Sequence, residues 1–160
     1  MECTLTADFF THMRSTMNVQ RALVNQMILD SDPSNAWPPQ PPGVPNPLTT
    51  RDVLRYATIN GAEALRLDHK TGSLTPGKEA DIIILDATAL NVAPLNQVPG
   101  AVVSLMDRTN VETVIVAGKV RKWKGQLLDV DLPRLRDKLE SSRDHIFAAA
   151  GISQDLFRGN

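Results

Sequence analysis

The sequence predicts an α+β fold, because helical patterns come first and strand patterns follow. Apolar residues recur at near-helical spacing from Thr6 to about Leu29, and residues 48–67 open with a helix-start signal. From Thr71 the sequence changes to short runs rich in β-branched residues, which are typical of strands. At 160 residues the chain is long enough to bury a substantial core.

The first element is predicted to be a long helix with few breakers. Its apolar positions include Phe9, Met13, Met17, Leu23 and Met27. We expect Thr4 or Thr6 to cap this helix, and Asp8 to lie in its first turn near the positive end of the helix dipole.

A proline-rich stretch, residues 32–47, separates this helix from the next. Repeated prolines remove backbone donors, so the stretch is predicted to be an extended connector. Two interpretations remain open: Trp37 and Val44 pin the connector to the body, or the stretch is a ligand for an aromatic groove.

The second helix is predicted over residues 48–67. Thr49 and Asp52 have the spacing of a capping box, and Leu48 with Val53 has that of a hydrophobic staple. A face of mostly small residues predicts close packing against another element: Ala57, Gly61, and Ala64 or Leu65.

The second half of the chain contains three strand patterns and a final helix. The run "ADIIILDA" suits a strand buried on both faces, and "VETVIVAGKVRKWKGQL" predicts a hairpin that turns at Gly118. The last helix starts near Asp131, ends at about Ala150 and is stopped by Gly151. Its apolar stripe consists of Leu132, Leu135, Leu139, Ile146 and Phe147.

Composition excludes several function classes. The net charge is −1 and the pI is near 6.3, so no nucleic-acid partner is expected, and Lys119, Arg121 and Lys124 are interpreted as a solvated face. The single cysteine, Cys3, rules out an intrachain disulfide. No apolar run is long enough for a membrane span, and the N-terminus does not resemble a signal peptide, so we expect a cytoplasmic protein without a membrane partner.

Catalytic patterns are absent from the sequence. The three histidines, His12, His69 and His145, lie in separate segments and form no paired metal motif. Cys3 is a lone thiol without a placed base, and no phosphate-binding glycine loop or nucleophile elbow is present.

The charged residues at the start of the first strand allow two interpretations. Glu79 with Asp81, and Asp86 beyond the strand, could form an acid–base pair. The pattern favours the alternative, in which Lys78, Glu79 and Asp81 are solvated or flank the strand ladder.

Three segments together resemble a known family. "TGSLTPGKEADIIILD" and "NVETVIVAGKVRKWKGQL" are similar to the C-terminal segment of the metal-dependent amidohydrolase superfamily, of the cytosine deaminase and atrazine chlorohydrolase-like kind. "LTTRDVLRYATINGAEALRL" resembles the family helix before them, and "TADFFTHMRSTMNVQRAL" resembles the helix after the eighth barrel strand. The likeness covers most of residues 4–128.

The resemblance implies a fold built from parts of a larger one. We expect helices from the C-terminal end of a (β/α)8 barrel over residues 1–70, part of the small β-sandwich over 71–128, and a helix with a tail over 129–160. Gly72, Pro76 and Gly77 would form the turn, Ile82 to Leu85 would fill the sandwich core, and Gly118 would close the hairpin.

The resemblance also implies a hydrolase that breaks non-peptide C–N bonds, by deamination or dechlorination of heterocycles, with water activated by zinc or iron. The family's metal ligands should lie upstream of Met1, and Asp8 belongs to the helix rather than to a ligand position. We therefore predict a truncated chain, inactive in isolation, with no catalytic, cofactor-binding or metal residue and no cofactor of its own. Expected partners are a barrel-bearing chain or a second copy; the alternative is a non-catalytic interaction module.

Overall fold

The computed structural model describes residues 8–31 and 41–153, and the statements below concern those ranges. The elements follow in the order α1 Phe9–Ser31, α2 Thr50–Ala57, α3 Ile59–Ala64, β1 Ile82–Leu85, α4 Val98–Ser104, a 3₁₀ turn Arg108–Asn110, β2 Val111–Val116, β3 Lys119–Trp123, β4 Gln126–Leu127 and α5 Leu132–Ala150. The chain divides into two compact units after Gln126. Helices and strands are both present, as an α+β chain requires.

The first helix begins later than its sequence pattern indicates. α1 starts at Phe9, and Asp8 precedes it as the cap: its carboxylate accepts hydrogen bonds from Phe10 N at 3.2 Å and from Thr11 Oγ1 at 2.7 Å. The expectation that Asp8 lies inside the first turn is therefore wrong. Thr4 and Thr6, the predicted caps, lie outside the described residues.

The predicted second helix is two helices. The capping box is confirmed, since the Thr49 side chain accepts from Asp52 N and the Asp52 side chain accepts from Thr49 N. At Thr58 the backbone leaves the helical region (φ −126°, ψ −99°), which separates α2 from α3. Within α3 Ala62 is buried, whereas Leu65, a member of the predicted small-residue face, follows α3 as its C-cap and is 72% exposed.

The proline-rich connector is described only from residue 41 onward, so Trp37 lies outside the described part. Its end is tied to α1 by two side chains. Gln20 Nε2 donates to Asn46 O at 3.2 Å, Gln20 Oε1 accepts from Leu48 N at 2.8 Å, and Arg21 Nε donates to Leu48 O at 2.9 Å.

The four strands form one sheet in the order β1-β2-β3-β4, with β1–β2 and β2–β3 antiparallel. Ala117 and Gly118, between β2 and β3, both have positive φ (48° and 77°), as a two-residue hairpin loop of type I′ requires. The hairpin predicted at Gly118 is confirmed.

The hydrophobic core lies among α1, α2 and α4 and the loops around α4. Its buried members are Phe10, Met13, Met17, Val53, Val92, Ala101, Val103 and Met106. From β1 only Leu85 packs against this cluster, whereas Ile83 is 60% and Ile84 45% exposed. The prediction that β1 is buried on both faces is wrong, because β1 is an edge strand whose middle residues lack a covering layer in the described structure.

α4 has no counterpart among the predicted elements. Its C-terminal end is held by Arg14 of α1, whose guanidinium donates to Val103 O at 3.3 Å and to Met106 O at 2.9 Å. A cation at this end also complements the helix dipole. α1 and α4 are thus joined by charge as well as by packing.

The second compact unit contains α5. The predicted helix is confirmed at Leu132–Ala150, with Pro133 in its first turn and Gly151 in the left-handed conformation as its stop. Across residues 8–31 and 41–153, no helix has both the length and the apolar character needed to cross a membrane.

Candidate functional site

The charged turn before β1 is the centre of a hydrogen-bonded cluster. Asp81 Oδ1 accepts from Ala117 N at 2.7 Å, and Oδ2 accepts from Thr71 Oγ1 at 2.9 Å. Ala80 O accepts from Gly118 N at 3.0 Å. The start of β1 is thereby fastened both to the loop after α3 and to the hairpin turn.

These bonds determine the electrostatics of Asp81. The Ala117 N–H and then the Thr71 hydroxyl stabilise the carboxylate, so its pKa is lowered. A general acid or base at neutral pH needs a pKa near 7. Asp81 therefore holds backbone in place rather than exchanging protons with a substrate.

Lys78 and Glu79 also have structural partners. Lys78 Nζ donates to Thr71 O at 3.1 Å, and Glu79 N donates to Lys70 O at 2.8 Å. The Glu79 carboxylate lies 3.0 Å from Lys70 Nζ, with both side chains about half exposed. An exposed ion pair of this kind adds little stability, so the backbone bonds matter more.

Asp86 and Asp107 repeat one local pattern. Each carboxylate accepts from the hydroxyl and the backbone N–H of a threonine two residues later, Thr88 or Thr109, at 2.6–2.7 Å. The threonine hydroxyl, followed by its N–H, lowers the pKa of each carboxyl group. Asp86 thus makes a turn after β1, and the lowered pKa of its carboxyl group does not suit the acid–base role that the sequence left open.

A pair of side-chain amides, Asn91 (exposed) and Asn110 (buried), joins the loop after β1 to the 3₁₀ turn. Asn91 Nδ2 donates to Asn110 Oδ1 at 3.0 Å, and Asn110 Nδ2 donates back to Asn91 Oδ1 at 3.3 Å. Asn110 is 1% exposed and also donates to Asp86 O at 3.1 Å. Its Oδ1 accepts from Asp107 N at 3.0 Å, so each half of the amide is used.

Two glycines of the turn adopt positive φ for different reasons. Gly72 (φ +85°) lies against α3, where an added Cβ would be 2.7 Å from Ala62 Cβ. Gly77 (φ +92°) has open space around it. Gly72 therefore permits close packing as well as the turn, whereas Gly77 serves the turn alone.

The residues that the structure describes do not fit a zinc or iron centre. Within 8–31 and 41–153, no three His, Cys, Asp or Glu side chains are grouped so that they could hold a metal ion. His12 stacks on Phe9 with ring centroids 6.5 Å apart, and His69 and His145 are exposed on other segments. Cys3 lies outside the described residues. A structural zinc site would need four such ligands around one point.

The described geometry is that of a structural junction. No pattern in the sequence indicated that Thr71 and Ala117 bond to the charged turn. None indicated the Asn91–Asn110 pair either. The Asp-x-Thr spacing at Asp86 and Asp107 was visible locally and could have indicated turns.

Comparison with known proteins identifies the family of this chain. The model of the Amidohydrolase family matches residues 6–121, which is most of the chain. The chain belongs to the amidohydrolase family. This finding confirms the resemblance stated on the turn and hairpin motifs.

The relatives to which the chain is similar include proteins named as deaminases. The chain is 36% identical over 89 residues to a 5-methylthioadenosine/S-adenosylhomocysteine deaminase from Moorella thermoacetica, covering 56% of this chain and 21% of that protein. It is 34% identical over 108 residues to a 5′-deoxyadenosine deaminase from Methanosarcina acetivorans, covering 68% and 24%. The chain thus spans less than a quarter of each of these two relatives.

Two solved structures share the fold of this chain. An adenosine deaminase from Xanthomonas campestris, solved with bound zinc, superimposes with a TM-score of 0.72 at 28% identity, over 88% of this chain and 28% of that one. Atrazine chlorohydrolase from Arthrobacter aurescens, in complex with zinc, gives a TM-score of 0.58 at 20% identity, over 82% and 25%. The second match concerns fold alone.

Proposed function

We propose that this chain is the C-terminal part of a metal-dependent amidohydrolase that hydrolyses the exocyclic amino group of an adenine-type ring. Water replaces the amino group, which leaves as ammonia. The observation that carries the proposal is the alignment with deaminases of adenine nucleosides at 36% and 34% identity. Dechlorination is less well supported, because the chlorohydrolase likeness is one of fold.

Within this proposal, α1 and the α2–α3 pair belong to the C-terminal end of a (β/α)8 barrel, and the strands belong to part of a small β-sandwich. The boundaries near residues 70 and 128 separate these parts from each other and from the α5 region. Apolar side chains on the outer side of α1 support this assignment, since a barrel would cover them: Phe9 (60% exposed), Val19 (60%), Leu23 (62%) and Met27 (44%).

The chain's own contribution is structural. Because the described residues do not fit a metal centre, we assign the ligands of the family's zinc or iron to other segments, and we expect the isolated chain to be inactive. Its partner is the barrel-bearing portion, whether joined to it or carried by another chain; association of two copies, or a role as a non-catalytic interaction module, is the alternative. A cytoplasmic location belongs to the same proposal.

A chimera tests the proposal. The aligned segment of the Moorella thermoacetica deaminase is replaced by the corresponding residues of this chain, and ammonia release from 5-methylthioadenosine is assayed with zinc supplied. We expect the chimera to bind zinc and to release ammonia, and the 160-residue chain alone to release none.

The intact relative and a version lacking the aligned segment serve as controls. The version without the segment should be inactive, which establishes that this part of the fold is required. A folded, zinc-containing chimera without activity would contradict the assigned function. Ammonia release by the isolated chain would contradict the assignment of the metal ligands to other segments.

A further inference from the structure

We draw no further inference here: the strongest candidate, a groove of about 310 Å³ between the loop at residues 92–97 and α4 whose walls include Val92, Leu95 and Leu105, carries nothing because nothing in the structure shows what fills or covers it.

Discussion

The backbone N–H of Ala117 donates a 2.7 Å hydrogen bond to the carboxylate of Asp81, 36 residues earlier in the chain. This bond fastens the beginning of one strand to the turn of a hairpin formed by two others. Because the acceptor is a carboxylate, protonation of Asp81 in acid should weaken this hydrogen bond.

Asp81→Asn should lower the melting temperature at pH 7. The pKa of Asp81 is lowered by the Ala117 N–H and the Thr71 hydroxyl, so its stabilising effect is present above the unfolded-state pKa of about 3.9 and is lost as the pH falls through the folded-state value. The gap between wild type and variant should therefore narrow in acid, as followed by circular dichroism from pH 7 to pH 2. Asp68→Asn, on an exposed turn, is the control, and a gap that stays constant with pH would contradict the role of charge.

Gly72→Ala and Gly77→Ala should differ in their effects. Both positions have positive φ, which costs an alanine about 1 kcal/mol. Only at position 72 would the new methyl group also clash with Ala62, adding roughly 1–3 kcal/mol. Urea unfolding of the two variants measures the difference directly. Equal losses would mean that the contact between the turn and α3 is looser than the structure describes.

Asn110→Ala should destabilise the chain by roughly 2–3 kcal/mol, since it strips partners from Asp86 O, Asp107 N and Asn91 at a site that is 1% exposed. Asn91→Ala should cost less, because Asn91 is exposed and bonds mainly to Asn110 and Leu105 O. A double-mutant cycle on urea unfolding should give a coupling of about 0.5 kcal/mol or more. Strict additivity would show that the two amides do not act as a pair.

Arg14→Met should cost about 1–3 kcal/mol, because two charge-assisted bonds to the end of α4 are lost while the apolar stem is kept. Arg51→Met is the matched control: Arg51 is exposed in the first turn of α2, where a positive charge opposes the helix dipole. That change should alter the free energy of unfolding by no more than about 0.5 kcal/mol. If both variants lost similar amounts of unfolding free energy, the bonds from Arg14 to α4 would contribute no more than an exposed arginine does.

The parts of the fold that sequence predicted correctly depend on short-range chemistry. The Thr49–Asp52 capping box and the hairpin turn at Gly118 each require particular residues at fixed spacing, so the local sequence is sufficient to predict them. The break at Thr58 and the exposure of Ile83 and Ile84 depend on what surrounds each segment. No pattern within α2 or β1 carries that information.

The same distinction holds for the charged turn. The sequence indicated that Lys78, Glu79 and Asp81 begin a strand, and the structure gives them structural partners. It could not indicate that Asp81 bonds to Ala117, because that partner is a backbone N–H brought near by the register of the hairpin. Membership of the amidohydrolase family could be predicted because the turn and hairpin motifs are long and specific.

The edge position of β1 has a consequence for handling the protein. Ile82–Leu85 is a short, strongly β-forming run whose outer edge is unpaired among the described residues, and such an edge is a template for aggregation. Asp81 and Asp86 bracket the run, and in a stack of identical strands their like charges would repel one another. Both carboxyl groups have lowered pKa values, so this repulsion would persist into mild acid and weaken as they become protonated.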